Sequence, residues 1–197
     1  MCHAFLTDPS FYQLLTRIDE SIAEEVRAGG CDCGEVLHSA RYPRKPRGLG
    51  SALDDAYESR LSFCCARDGC RRRHTPPSVR FLGRKVYLGM IVVLITALHH
   101  GLTEQRRSRL IEYLDVPAQT LWRWQRWWRE QFLESRCWRA LAGHFIPPMA
   151  TDSLPGSLLE RLSGGALSQR LVELLILISP VTTATSSLKV DRYPQTM

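Results

Sequence analysis

Apolar residues recur at helical spacing near the start of the chain. Phe11, Leu14, Leu15, Ile18, Ile22, Ala23 and Val26 keep an approximate 3.6-residue period, which predicts a helix over residues 5–28. Asp8 or Ser10 suits its N-cap, Pro9 its first turn, and Ala28-Gly29-Gly30 its end. Asp19, Glu20, Glu24 and Glu25 read as a solvated acidic face. Residues 31–80 lack such periodicity. Arg41–Gly50 is rich in Pro, Gly and basic residues and reads as a loop or arm. Strands are expected at Glu58–Phe63 and Arg71–Thr75, with a cysteine-bearing turn between them, and Pro76-Pro77 closes the unit.

Helical patterning returns over residues 84–142. The apolar run Val86–Leu98 comes first, and His99-His100-Gly101 breaks it. A second helix starts at Thr103, a turn follows at Asp115-Val116-Pro117, and a third helix runs from Ala118 to about Trp138. After Pro147-Pro148, Leu167, Leu171, Leu174, Leu175 and Ile178 define an amphipathic helix that ends at Pro180. A frayed tail is expected from about Thr182.

The cysteines change this picture. Five of the seven lie between positions 31 and 70, as Cys31-x-Cys33 and Cys64-Cys65-x4-Cys70. Such clustering argues for metal in a reducing cytosol over a disulfide framework. Two turns offering two thiolates each would complete a tetrahedral Zn2+ site, as in a zinc ribbon. The expected ligands are Cys31, Cys33, Cys65 and Cys70. Cys64 is left out because neighbouring strand residues face opposite ways. His74 or His38 stands as a replacement for, or supplement to, Cys70. Four protein ligands would make the ion structural, because no position is left for a reacting water.

The segment from Leu102 to Trp128 fits a helix-turn-helix. Leu110 and Leu114 on the first helix, Val116 after the turn, and Leu121 and Trp124 on the second fill the inward positions. Asp115 tolerates the left-handed turn conformation, and Pro117 suits a helix start. The outward residues are then Ala118, Gln119, Trp122, Arg123 and Arg126. The start of a recognition helix enters the major groove, where Gln pairs with adenine and Arg with guanine or phosphate. Arg106, Arg107 and Arg109 would hold the backbone from the preceding helix. Trp124, Trp127 and Trp128 are expected in the core.

Charge supports that reading. The chain is +6 overall, but residues 1–30 are net −3, residues 31–142 net +9, and residues 143–197 neutral. The excess therefore falls on the segment carrying both motifs, as a polyanion-binding surface requires. Arg71, Arg72 and Arg73 follow the last clustered cysteine and are candidate phosphate contacts, alternatively a solvated strand edge. The N-terminus, MCHAFLTDPS, has no basic start followed by an apolar run. Val86–Leu98 is shorter than the about 20 residues of a membrane span. These features imply a cytoplasmic, nucleoid-associated protein with no membrane partner. No phosphate-binding glycine loop or nucleophile motif is present, so no enzyme is expected.

The cysteine ribbon, the Cys-Arg-Arg-Arg run and the helix-turn-helix with TLWRWQRWW together resemble the N-terminal DNA-recognition region of bacterial insertion-sequence transposases. They resemble equally the short accessory proteins encoded on such elements. The likeness covers Cys31–Phe132. It implies recognition of double-stranded DNA at the ends of a mobile element, with a transposase or integrase as a candidate further partner. A homodimer is a candidate assembly, because a lone helix-turn-helix usually binds too weakly to act. Fewer than 60 residues follow Trp138, with only Asp152, Glu160, Glu173 and Asp191 as acids. An RNase H-like cutting domain does not fit in them. A protein-interaction adaptor and an inactive transposase remnant are the alternatives. The expected fold is mainly α with a small β zinc-ribbon-like unit and a helix-turn-helix core. It is divided into a helix (1–30), the ribbon-like unit (31–80), the helix-turn-helix domain (84–142), a helical region (143–181) and a tail (182–197).

Overall fold

The structure, a computed structural model, describes residues 8–43, 57–82, 93, 108 and 118–183. Most of the Val86–Leu98 run lies outside these residues. So do the first half of the expected helix-turn-helix with Arg106 and Arg107, the arm residues Arg44, Lys45 and Arg47, and the tail beyond Thr183. Among the described residues no helix is long and apolar enough to cross a membrane.

Helix α1 spans Pro9–Ala28. Asp8 caps it by accepting the Ser10 N–H at 2.9 Å, and Pro9 occupies the first turn, where no N–H is needed. The chain turns away at Gly29 and Gly30, the latter with φ +67°. The helix serves two cores. Phe11, Tyr12 and Leu15, with Ile18 and Ile22, join the large core, whereas Ala23 and Val26 join a small one with Cys31, Leu37, Phe63 and Cys65.

The β unit is mainly built from strands β1 (Leu37–Ser39), β2 (Tyr42–Pro43), β3 (Ser59–Arg60), β4 (Phe63–Cys65) and β5 (Arg73–His74). β1, β4 and β5 form an antiparallel sheet in that order, and β2 pairs with β3. Leu37 faces Cys65 across β1–β4, and Phe63 faces His74 across β4–β5. The single strand expected over 58–63 is instead two short strands interrupted at Leu61-Ser62.

The C-terminal half is helical. Helix α2 spans Ala118–Arg126 and runs into a π-helical turn at Trp127–Phe132. Trp128 and Phe132 both reach the core from this segment, with ring centroids 4.8 Å apart in edge contact. Ser135 then caps a separate helix α3, Arg136–Ala142, so the expected helix to Trp138 is broken. Helices α4 (Gly156–Arg161) and α5 (Leu167–Ile178) follow. α5 buries Leu171, Leu174, Leu175 and Ile178 against the same core as α1 and the tryptophans. The described residues therefore show a mainly helical protein with a small antiparallel β unit.

One buried ion pair links these parts. Asp19, expected on the solvated face of α1, is 3% exposed. Its Oδ2 accepts from Arg80 Nε at 2.8 Å and from Ser78 Oγ at 2.6 Å, and its Oδ1 accepts the Val79 N–H at 2.6 Å. Arg80, equally buried, also donates to the carbonyls of Tyr57 and Ser59 and lies over the rings of Tyr57 and Phe81. The Ser78 N–H donates to Thr182 Oγ1 at 3.0 Å, and Thr182 is buried. Thr182, expected at the start of the tail, is thus tied to the fold by a fixed partner.

Removing one member of a buried, hydrogen-bonded ion pair strands the other. Asp19→Ala is expected to destabilise the fold by about 3–5 kcal/mol. Chemical denaturation followed by tryptophan fluorescence checks this, with the exposed Glu20→Ala as a control expected within about 0.5 kcal/mol.

Candidate metal centre and basic helix face

Two tight turns present the cysteines. In the first, the Gly34 N–H donates to the Cys31 carbonyl at 2.7 Å, and Gly34 takes φ +84°. In the second, Cys70 and Arg71 both donate to the Arg67 carbonyl, with Gly69 at φ +87° and Arg71 at +43°. A left-handed arginine is uncommon, and it turns the chain from the knuckle into β5. The β1–β4 pairing then sets the turns side by side.

The Sγ atoms of Cys31, Cys33, Cys65 and Cys70 all lie within 4.8 Å of one another. Cys31–Cys70 is 3.8 Å and Cys33–Cys65 is 3.5 Å. A tetrahedral ion with metal–sulfur bonds of about 2.3 Å separates its sulfurs by about 3.8 Å. A disulfide would need about 2.05 Å. The sulfurs are too far apart for disulfides and close enough to surround an ion, so these four residues could hold a metal.

Backbone donors reach three of the four sulfurs. The N–H groups of Cys33, Glu35 and Arg67 point at Cys31, Cys33 and Cys65 respectively. For Cys33, the Glu35 N–H and then the Cys65 side chain bring the thiol pKa down to about 7. For Cys65, burial outweighs its backbone bond and pushes the pKa up to about 12. Cys31 is pulled down by the Cys33 N–H, but burial and the neighbouring Cys33 and Cys70 thiols leave it raised. A bound cation would favour the thiolate at all four.

The other sulfur and imidazole groups sort themselves by strand geometry. Cys64 points away from the cluster, and its thiol donates to the Arg71 carbonyl at 3.5 Å. His38 is exposed opposite Cys64. His74 is outside the group of four, but its Nε2 lies 3.4 Å from Cys31 Sγ. Cys137 is remote, buried against the Leu177 carbonyl, and burial pushes its pKa up to about 11.

The basic run beside the centre is exposed but engaged. Arg71 pairs with Asp68, Arg72 with Asp32, and Arg73 lies over the Tyr42 ring. The second basic surface is on α2. Leu121 and Trp124 are buried, while Gln119, Trp122, Arg123 and Arg126 are exposed at spacings of three, four and seven, a single helix face. Trp122 is 59% exposed, with the Arg126 guanidinium over its ring at 5.6 Å. Arg126 also donates to Glu130 at 2.7 Å, a pairing that the sequence analysis overlooked although the i, i+4 spacing announces it. Comparison with family models, curated proteins and solved structures finds no match.

Two outcomes test the centre. In the metal-free chain, alkylation at about pH 8 should modify Cys33 well before Cys65. The first is then mostly thiolate and the second is not. Cobalt titration followed by thiolate charge-transfer absorbance should show Cys64→Ser binding like wild type. Serine at Cys31, Cys33, Cys65 or Cys70 should cost more than the about 10–100-fold expected of an outer partner.

Proposed function

We propose that this chain binds double-stranded DNA through the outer face of α2, supported by a structural Zn2+ ion on Cys31, Cys33, Cys65 and Cys70. The observation that carries the reading is the division of α2. Its inner residues are locked in an aromatic core, and Gln119, Trp122, Arg123 and Arg126 form an outward strip of the chemistry that reads base edges and phosphates. In this reading α2 is the recognition helix of a helix-turn-helix. Gln119 and Arg123 approach bases from its first turns, and Arg126 contacts phosphate. The Arg126–Glu130 pair is exposed on both sides, so giving it up for a phosphate costs little.

Zinc suits the centre because four soft thiolates in a closed tetrahedron match its preferences and need no redox change. The ion would stabilise a unit whose own core is a handful of side chains. Arg71, Arg72 and Arg73 would add salt-dependent affinity from the edge of that unit. The resemblance of Cys31–Phe132 to transposase DNA-recognition regions supports a place as an accessory or regulatory protein of a mobile element. It would act in the cytoplasm at the nucleoid, as a homodimer or beside a transposase or integrase.

Electrophoretic mobility shifts with the zinc-loaded chain, at two salt concentrations, test this against random duplex and the DNA flanking its own gene. Binding is expected to weaken steeply with salt and to favour the flanking DNA. Arg123→Ala or Gln119→Ala should lose about 1–3 kcal/mol of that preference, while Arg126→Ala should weaken both duplexes alike. A folded, metal-loaded chain that binds neither duplex overturns the proposal and leaves the protein-interaction adaptor in its place.

A further inference from the structure

We infer that His74 is a positioning residue of the metal centre, donating an Nε2–H···S hydrogen bond to the Cys31 thiolate. This rests on the tetrathiolate reading above. Cys31 is 6% exposed, and the Cys33 N–H already points at its sulfur. His74 approaches the same sulfur from β5, 43 residues along the chain, at 3.4 Å. The direction of the bond follows from the ion. A metal-bound thiolate has no proton to give, so it only accepts, and the imidazole must present its proton at Nε2.

The strand geometry holds the ring there. His74 is opposite Phe63 in the β4–β5 ladder, and its carbonyl accepts from Ser62 Oγ at 3.4 Å. Phe63 and Cys65 lie in the small core beneath. The ring therefore has a fixed origin and reaches Cys31 from outside the group of four ligands. A tetrathiolate around a divalent cation carries a net charge of −2. Spreading part of the Cys31 charge onto an N–H donor lowers that sulfur's basicity. It also makes the sulfur a poorer nucleophile toward oxidants, so the ion is held longer.

The test uses the full chain with His74→Leu, which deletes the donor, and His74→Gln, which keeps an N–H. Each is loaded with Co2+ for spectra and with Zn2+ for release into a chromogenic chelator under hydrogen peroxide. His74→Leu is expected to bind metal about tenfold more weakly and to release it several-fold faster, with a shifted thiolate-to-cobalt band. His74→Gln should restore most of each property. Wild-type affinity, release rate and spectrum in a folded His74→Leu protein overturn the inference. If that variant does not fold, long-range 1H–15N NMR of the wild-type zinc form decides. A protonated Nε2 supports the inference, and an Nδ1–H tautomer with bare Nε2 overturns it. A wild-type spectrum with three sulfur ligands and one nitrogen also overturns it, because His74 would then be a ligand. No thiolate-to-cobalt band at all in the folded wild-type chain sinks the tetrathiolate reading itself.

Discussion

The buried pair of Asp19 and Arg80 is the constraint on which the arrangement of the described elements depends. A carboxylate and a guanidinium removed from water are tolerable only when the remaining lone pairs and N–H groups are also satisfied. Here they are met from four directions. Asp19 takes three donors, Arg80 reaches two carbonyls on the approach to β3, and Ser78 links the network to Thr182 after α5. The pair is thus a poor source of net stability and a strong source of specificity. A helix packed in another register would bury Asp19 without its donors. The neighbouring Arg60 shows the cost of such placement, since burial pulls its pKa down even though it donates to the Pro76 carbonyl.

That network connects two cores of unequal size. The large one gathers Trp128, Phe132 and the leucines of α4 and α5 around the first half of α1. Aromatic rings meet edge to face within it, including Trp127 against Trp128 at 4.8 Å. The small one holds five buried residues, two of them cysteines. Its strands are two or three residues long, too short for a sheet to persist by pairing alone. The four sulfurs converge at its knuckles, where a bound ion could add a cross-link.

The same division of labour extends to the surface. Because Leu121 and Trp124 are committed to the core, the orientation of Gln119, Trp122, Arg123 and Arg126 is set by packing and not by the residues themselves. Trp122 stands exposed on that strip with the Arg126 guanidinium over its ring. The proposed interface is therefore a by-product of how firmly the opposite face is held.

Local chemistry made part of this protein legible from its residues. The cap at Asp8, the glycines after Ala28, the inward stripe of α5 and the two sides of α2 follow rules that act over three or four neighbours. The alternation along β4 likewise separates Cys64 from Cys65 within a single strand. The rest needed the third dimension. Asp19 looks like one more acid beside Glu20, Glu24 and Glu25 until Arg80 arrives from 61 residues away. Thr182 looks like the start of a tail until the Ser78 N–H finds it. His74 is one histidine among several until the β4–β5 register sets its Nε2 beside the Cys31 sulfur. Periodicity reports which side of an element is apolar. It carries no information about which distant polar group will be waiting there, and burial of a charge is decided by that partner.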